Sequence, residues 1–102
     1  LRTFSEKQKD MSRLESVKKW IEEDKIDEAI TILADYLKEP ANSNKDEAYY
    51  LYGNICRKKG DWQGALNNYR KASELNPKSP ATHAYRSVLD ILNFYNKDMY
   101  NQ

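Results

Sequence analysis

One histidine, one cysteine and one run of three carboxylates are the residues of this 102-residue chain whose types could do chemistry, and their spacing keeps them apart. A general base needs a nucleophile within hydrogen-bond reach. His83 falls on the polar side of the last predicted helix, with no Cys or Ser nucleophile expected near it. Cys56 has no second cysteine to pair with, so neither an intramolecular disulfide nor a cysteine-based metal cage can form. Glu22, Glu23 and Asp24 are consecutive, and consecutive residues point around a helix rather than converging on an ion. No glycine-rich phosphate loop and no metal-ligand spacing occurs. Trp20 and Trp62 sit at helical spacing, where core or interhelix packing is expected. The expectation is a chain without catalytic residue, cofactor or metal.

Binding remains, and the elements must position whatever does it. The chain is one small domain, long enough to bury roughly two-thirds of the surface its unfolded form exposes. Charged residues make up 32% and the formal net charge is +1. Residues 1–45 carry 9 basic and 10 acidic side chains, and residues 46–102 carry 8 and 6. Charge mixed so evenly lacks the one-sided basic face of a nucleic-acid or membrane-surface binder. No apolar run approaches the ~18 residues of a membrane span, and nothing resembles a signal peptide. The chain begins at Leu1 rather than Met. The expected compartment is the cytoplasm.

The hydrophobic periodicity is helical throughout and predicts five helices. The first runs from about Ser5 or Asp10 to Glu23, with Leu14, Val17, Trp20 and Ile21 as its apolar arc and Ser5 with Gln8 as a candidate capping box. The second spans about Ile26 to Lys38, with Ala29, Ile30, Leu33, Tyr36 and Leu37 inward. Pro40 and the polar Asn42-Ser43-Asn44 stretch stop it. The third, about Lys45 to Lys59, is capped by Asn44 or Ser43. Gly60 suits the left-handed conformation that ends it, and Asp61 is the N-cap of the fourth, Trp62 to Leu75. Ser79 caps the fifth, which starts at Pro80 and reaches about Asn96, leaving 97–102 as a tail.

Within this pattern residues 46–79 form a 34-residue helical hairpin with Tyr49, Tyr52, Gly53, Gly60, Ala65, Tyr69, Ala72 and Pro77 at fixed offsets. These residues and their spacing closely resemble the tetratricopeptide (TPR) repeat. The resemblance places Gly53, Ala65 and Ala72 on the small sites where two helices approach closely. Tyr49 and Tyr69 are then the large residues that fill the gaps. A degenerate copy covers about 10–45, with Ile26-Asp27-Glu28-Ala29-Ile30 over Trp62-Gln63-Gly64-Ala65-Leu66. It departs from the family at Val17, Tyr36 and Asp24, the last standing where Gly60 does. Residues 80–96 look like the first half of a third repeat. Their outer positions His83, Arg86, Ser87 and Asp90 are all polar, as a capping helix requires. The implied architecture is an all-α array of two hairpins and a cap.

The resemblance also implies a concave groove lined by the first helix of each hairpin. The second repeat would offer Glu47, Tyr50, Asn54, Arg57 and Lys58, the first Leu14, Lys18, Ile21 and Glu22, and the cap Ala81, Ala84, Val88, Ile91 and Leu92. Asn54 has the chemistry to clamp a peptide backbone, being both donor and acceptor. Arg57 suits a carboxylate, and Tyr50 offers a flat apolar wall. The family's carboxylate-binding subgroup uses three hairpins and a groove lysine where this chain has Tyr50, so the resemblance does not extend to it. Peptide binding is therefore expected at Lys18, Tyr50, Asn54, Arg57, Ala84 and Val88. The apolar arc of the last helix is wider than one packed face needs. That surplus, at Val88, Ile91 and Tyr95, with Phe94 off the arc on the polar side, predicts self-association into a homodimer, docking of an apolar partner helix, or cover by Leu1 and Phe4. The chain is expected to bind protein, with a scaffold or a fragment of a longer array as the alternative, and neither nucleic acid nor membrane.

Overall fold

The computed structural model describes the backbone of residues 4–39 and 44–100 and the side chains of 13–39 and 44–94. Among the described residues five helices follow one another: α1 (Phe4–Glu22), α2 (Ile26–Lys38), α3 (Lys45–Lys58), α4 (Trp62–Leu75) and α5 (Ala81–Tyr100). Consecutive helices pack on each other, and α1 also packs on α3. The first and third helices thus share a layer, with α2 and α4 behind them. The molecule measures 58 × 28 × 18 Å, an elongated stack rather than a sphere.

Each hairpin forms because its turn is written locally. After α3, Gly60 takes φ 80°, its amide donates to the Arg57 carbonyl at 3.1 Å, and the Asp61 amide donates to the Cys56 carbonyl at 2.8 Å. This pair of bonds is a Schellman motif. Asp61 then caps α4, accepting from the Gly64 amide at 3.0 Å. The same turn closes the first hairpin: Asp24 takes φ 62°, and the Asp24 and Lys25 amides donate to Ile21 and Trp20 at 3.2 and 2.7 Å. Aspartate tolerates the left-handed region better than most side chains, so the family departure at Asp24 leaves the turn geometry intact. Lys58 reinforces it, with Nζ 2.7 Å from the Asp24 carboxylate and 2.6 Å from the Ile21 carbonyl oxygen.

Two apolar clusters fill the stack. One joins Leu14, Val17 and Ile21 of α1 to Ala29, Leu33 and Tyr36 of α2 and Ala48, Leu51 and Ile55 of α3. The other joins Cys56 to Ala65, Tyr69 and Ala72 of α4 and Ala81 and Val88 of α5. Tyr50 and Tyr52 pack against both, so α3 is the spine. The small sites do what the repeat pattern requires. A Cβ on Gly53 would lie 2.5 Å from the Tyr69 ring, and Ala65 and Ala72 are fully buried. The first hairpin instead buries the larger Val17 and Tyr36 at 0% exposure.

Several local expectations are corrected. Helix α5 runs to Tyr100, so residues 97–100 of the expected tail are helical. Ser5 lies inside α1 rather than at its cap. Asn44 occupies the N-cap of α3 without a side-chain cap bond. Pro40, Asn42, Ser43 and Leu1, and the side chains of Phe4 and Tyr95, lie outside the described residues. Ser79 does cap α5, its hydroxyl accepting from the Ala81 amide at 3.0 Å.

Candidate functional site

The layer made by α1 and α3 leaves a depression of about 440 Å³ on its open side. Helix α1 contributes Lys18, Ile21 and Glu22, α3 contributes Glu47, Tyr50, Leu51 and Asn54, and Pro80 closes the end towards α5. A second hollow of about 290 Å³ adjoins it, sharing Lys18 and Glu47 and adding Leu14, Glu15, Asn44 and Asp46. The spacing that makes this wall is helical: Glu47, Tyr50, Leu51 and Asn54 recur at three- and four-residue intervals and so share one face of α3.

Of the residues expected at a binding surface, Lys18, Tyr50 and Asn54 lie together here. Their side chains are already engaged. The Lys18 ammonium lies 3.1 Å from both Glu15 and Glu47, and these bonds, Glu47 first, raise its pKa above the ordinary 10.5. The Tyr69 hydroxyl donates to the Asn54 side-chain oxygen at 2.5 Å, so that acceptor is taken from within. The Tyr50 ring packs against Tyr69 at 5.8 Å between centroids, tilted by 38°. Burial pushes the Tyr69 hydroxyl pKa up, opposed by the neighbouring Arg57 guanidinium.

Arg57 is not on the groove wall; it lies beside the Tyr69 hydroxyl. Ala84 is half-buried against the α4–α5 core. Val88 is the plain correction. It is fully buried in that same core, because α5 turns its Ala81–Val88 edge onto α4. Val88 is therefore unavailable to a ligand or a second copy. Of the remaining α5 positions, Ile91 is half-buried and Phe94 is 69% exposed. The carboxylates Glu15 and Asp46 were missed as groove residues. The i, i+3 relation of Glu15 to Lys18 and the place of Asp46 in the first turn of α3 were the signals that could have found them.

The residues with catalytic potential do not assemble. Cys56 is buried beside Asn68, and desolvation pushes its thiol pKa up, away from a reactive thiolate. Ser87 does stand one turn from His83, but its hydroxyl donates to the His83 backbone carbonyl at 3.2 Å rather than to the imidazole. Among the described residues no group of three or more His, Cys, Asp or Glu could hold a metal ion. None of the described helices is long and apolar enough to cross a membrane.

Comparison with known proteins fits this geometry. A family model for the TPR repeat matches residues 53–87, overlapping the full repeat and running on into α5. The solution NMR structure of Bacteroides fragilis protein BF1650 is similar over 87% of this chain and 89% of that one, with 58% identity and a TM-score of 0.75. No curated protein matches.

Proposed function

We infer the function from a premise of kinship: this chain belongs to the tetratricopeptide-repeat family. Repeats of this family generally mediate protein–protein interaction and are not catalytic. This chain is proposed to hold a segment of a partner protein in the groove between α1 and α3, and to catalyse nothing. The observation that carries the reading is the groove itself, where Lys18, Tyr50 and Asn54 from two repeats line one hollow of about 440 Å³. Two hairpins offer little area, and association must offset lost rotational and translational freedom, so affinity for a short isolated segment is modest.

The test is site-specific photo-crosslinking in extract of the native source. A crosslinker at Tyr50 should capture a defined partner, while one at the exposed Glu74 of α4, outside both hollows, should not. Identical products from both positions, or none from position 50, would sink the reading.

A second reading, self-association through the end of α5, keeps one observation in its favour: the 69% exposure of Phe94. It has lost Val88. Sedimentation of the wild type against Phe94→Asp decides it, since an unchanged monomer in both removes the dimer.

A further inference from the structure

We propose that the segment this groove holds is basic, presenting lysine or arginine side chains to its carboxylates. The proposal rests on the groove reading above and names the chemistry of the occupant. The two hollows share Lys18 and Glu47, so they form one continuous track along α1 and α3. Among the described residues four carboxylates line it, Glu15, Glu22, Asp46 and Glu47, against one ammonium, that of Lys18. The whole chain carries a formal charge of +1, so the excess of carboxylates belongs to the track and not to the composition.

The track already holds one ammonium. Lys18 is bound between Glu15 and Glu47 at 3.1 Å to each, and Asp46 accepts from the Asn76 side-chain amide at 3.1 Å, so four carboxylates face one internal cation and Glu22 stands exposed at the rim. Two neighbouring cations among the described residues are engaged elsewhere. Lys58 is bound to the Asp24 carboxylate and the Ile21 carbonyl oxygen, and Arg57 lies at the Tyr69 hydroxyl. Between the carboxylates lie Leu14, Ile21, Tyr50 and Leu51. Such a floor accepts the alkyl stems of lysine and arginine while their charged heads reach the rim. A cleft lined by one sign of charge concentrates opposite charge and repels its own.

Three labelled dodecapeptides test this, sharing leucine and tyrosine at alternate positions and differing only in lysine, serine or glutamate between them. Fluorescence anisotropy is read for each against wild type, Glu22→Gln/Glu47→Gln, and the control Glu28→Gln/Glu74→Gln, with circular dichroism to verify the fold. The lysine probe should bind wild type at least about tenfold tighter than the glutamate probe, and weaken about tenfold in the groove variant but not in the control. Raising the salt should weaken it further. Equal binding of the glutamate or serine probe, indifference to Glu22→Gln/Glu47→Gln, or no binding of the lysine probe would overturn the proposal. If the glutamate or serine probe binds and crosslinks at position 50, the groove reading stands and the charge assignment alone falls. If no probe crosslinks there, and extract yields nothing at position 50 either, both fall.

Discussion

Gly53 and Tyr69 are matched across the α3–α4 contact, and neither can change alone. A Cβ at position 53 would press on a ring that is itself fully buried, with no room to swing. Gly53→Ala gains helix propensity of about 1 kcal/mol but overpacks the contact, so a net loss of about 1–2 kcal/mol is expected in chemical denaturation. Asp24 offers the opposite case. Its φ of 62° costs an L residue energy that glycine avoids, and the Lys58 bond it would lose is to a carboxylate 79% exposed. Asp24→Gly should therefore raise the unfolding free energy by up to about 1 kcal/mol, read as a higher denaturation midpoint. Three groups, Cys56, Tyr69 and Lys18, have pKa values raised in the folded state from ordinary values of 9.0, 10.0 and 10.5. A raised folded pKa keeps its stabilisation below the unfolded value and loses it as pH climbs towards the folded one. Stability should thus decline on the alkaline side, beginning near pH 9, and Tyr69→Phe should remove the part that sets in near pH 10. A denaturation series from pH 7 to 11 checks both.

At the scale of elements, the capping chemistry was mostly legible in the sequence. Gly60, Asp61 and Ser79 act as their residue types predict, because a cap is a bond between a side chain and a backbone a few residues away. Asp24 was not legible, since only the folded turn tells whether a non-glycine accepts the left-handed region there. Helix α5 is where sequence reasoning went furthest astray. Its apolar arc was visible, but the arc does not say which edge turns onto α4, and Val88 turned inward. Val88→Asp should consequently unfold the α4–α5 core, at a cost of at least about 3 kcal/mol, instead of reporting on a surface. The outer positions His83, Arg86 and Asp90 are exposed, as a helix ending a stack requires. Replacing Arg86 and Asp90 together by leucine should turn that face into a docking surface. Light scattering would then show a larger average mass than the wild type gives at the same concentration.

For the whole molecule, the helix count, the all-α class and the 34-residue hairpin followed from the chain alone. Periodicity and small–large order are properties of neighbours three and four residues apart, and these survive in any packing. What the sequence left open was every contact set by the rotation of one helix against another. That rotation put Lys18 between Glu15 and Glu47, gave the Asn54 oxygen to Tyr69, and left Arg57 off the groove. It also made the groove acidic in a chain that is nearly neutral. Angular position within a helix is fixed by residue number, but the direction in which a face looks is fixed only when close-packed cores lock each helix against the next. The sequence determined the repeat, and the tertiary structure decided what the repeat presents.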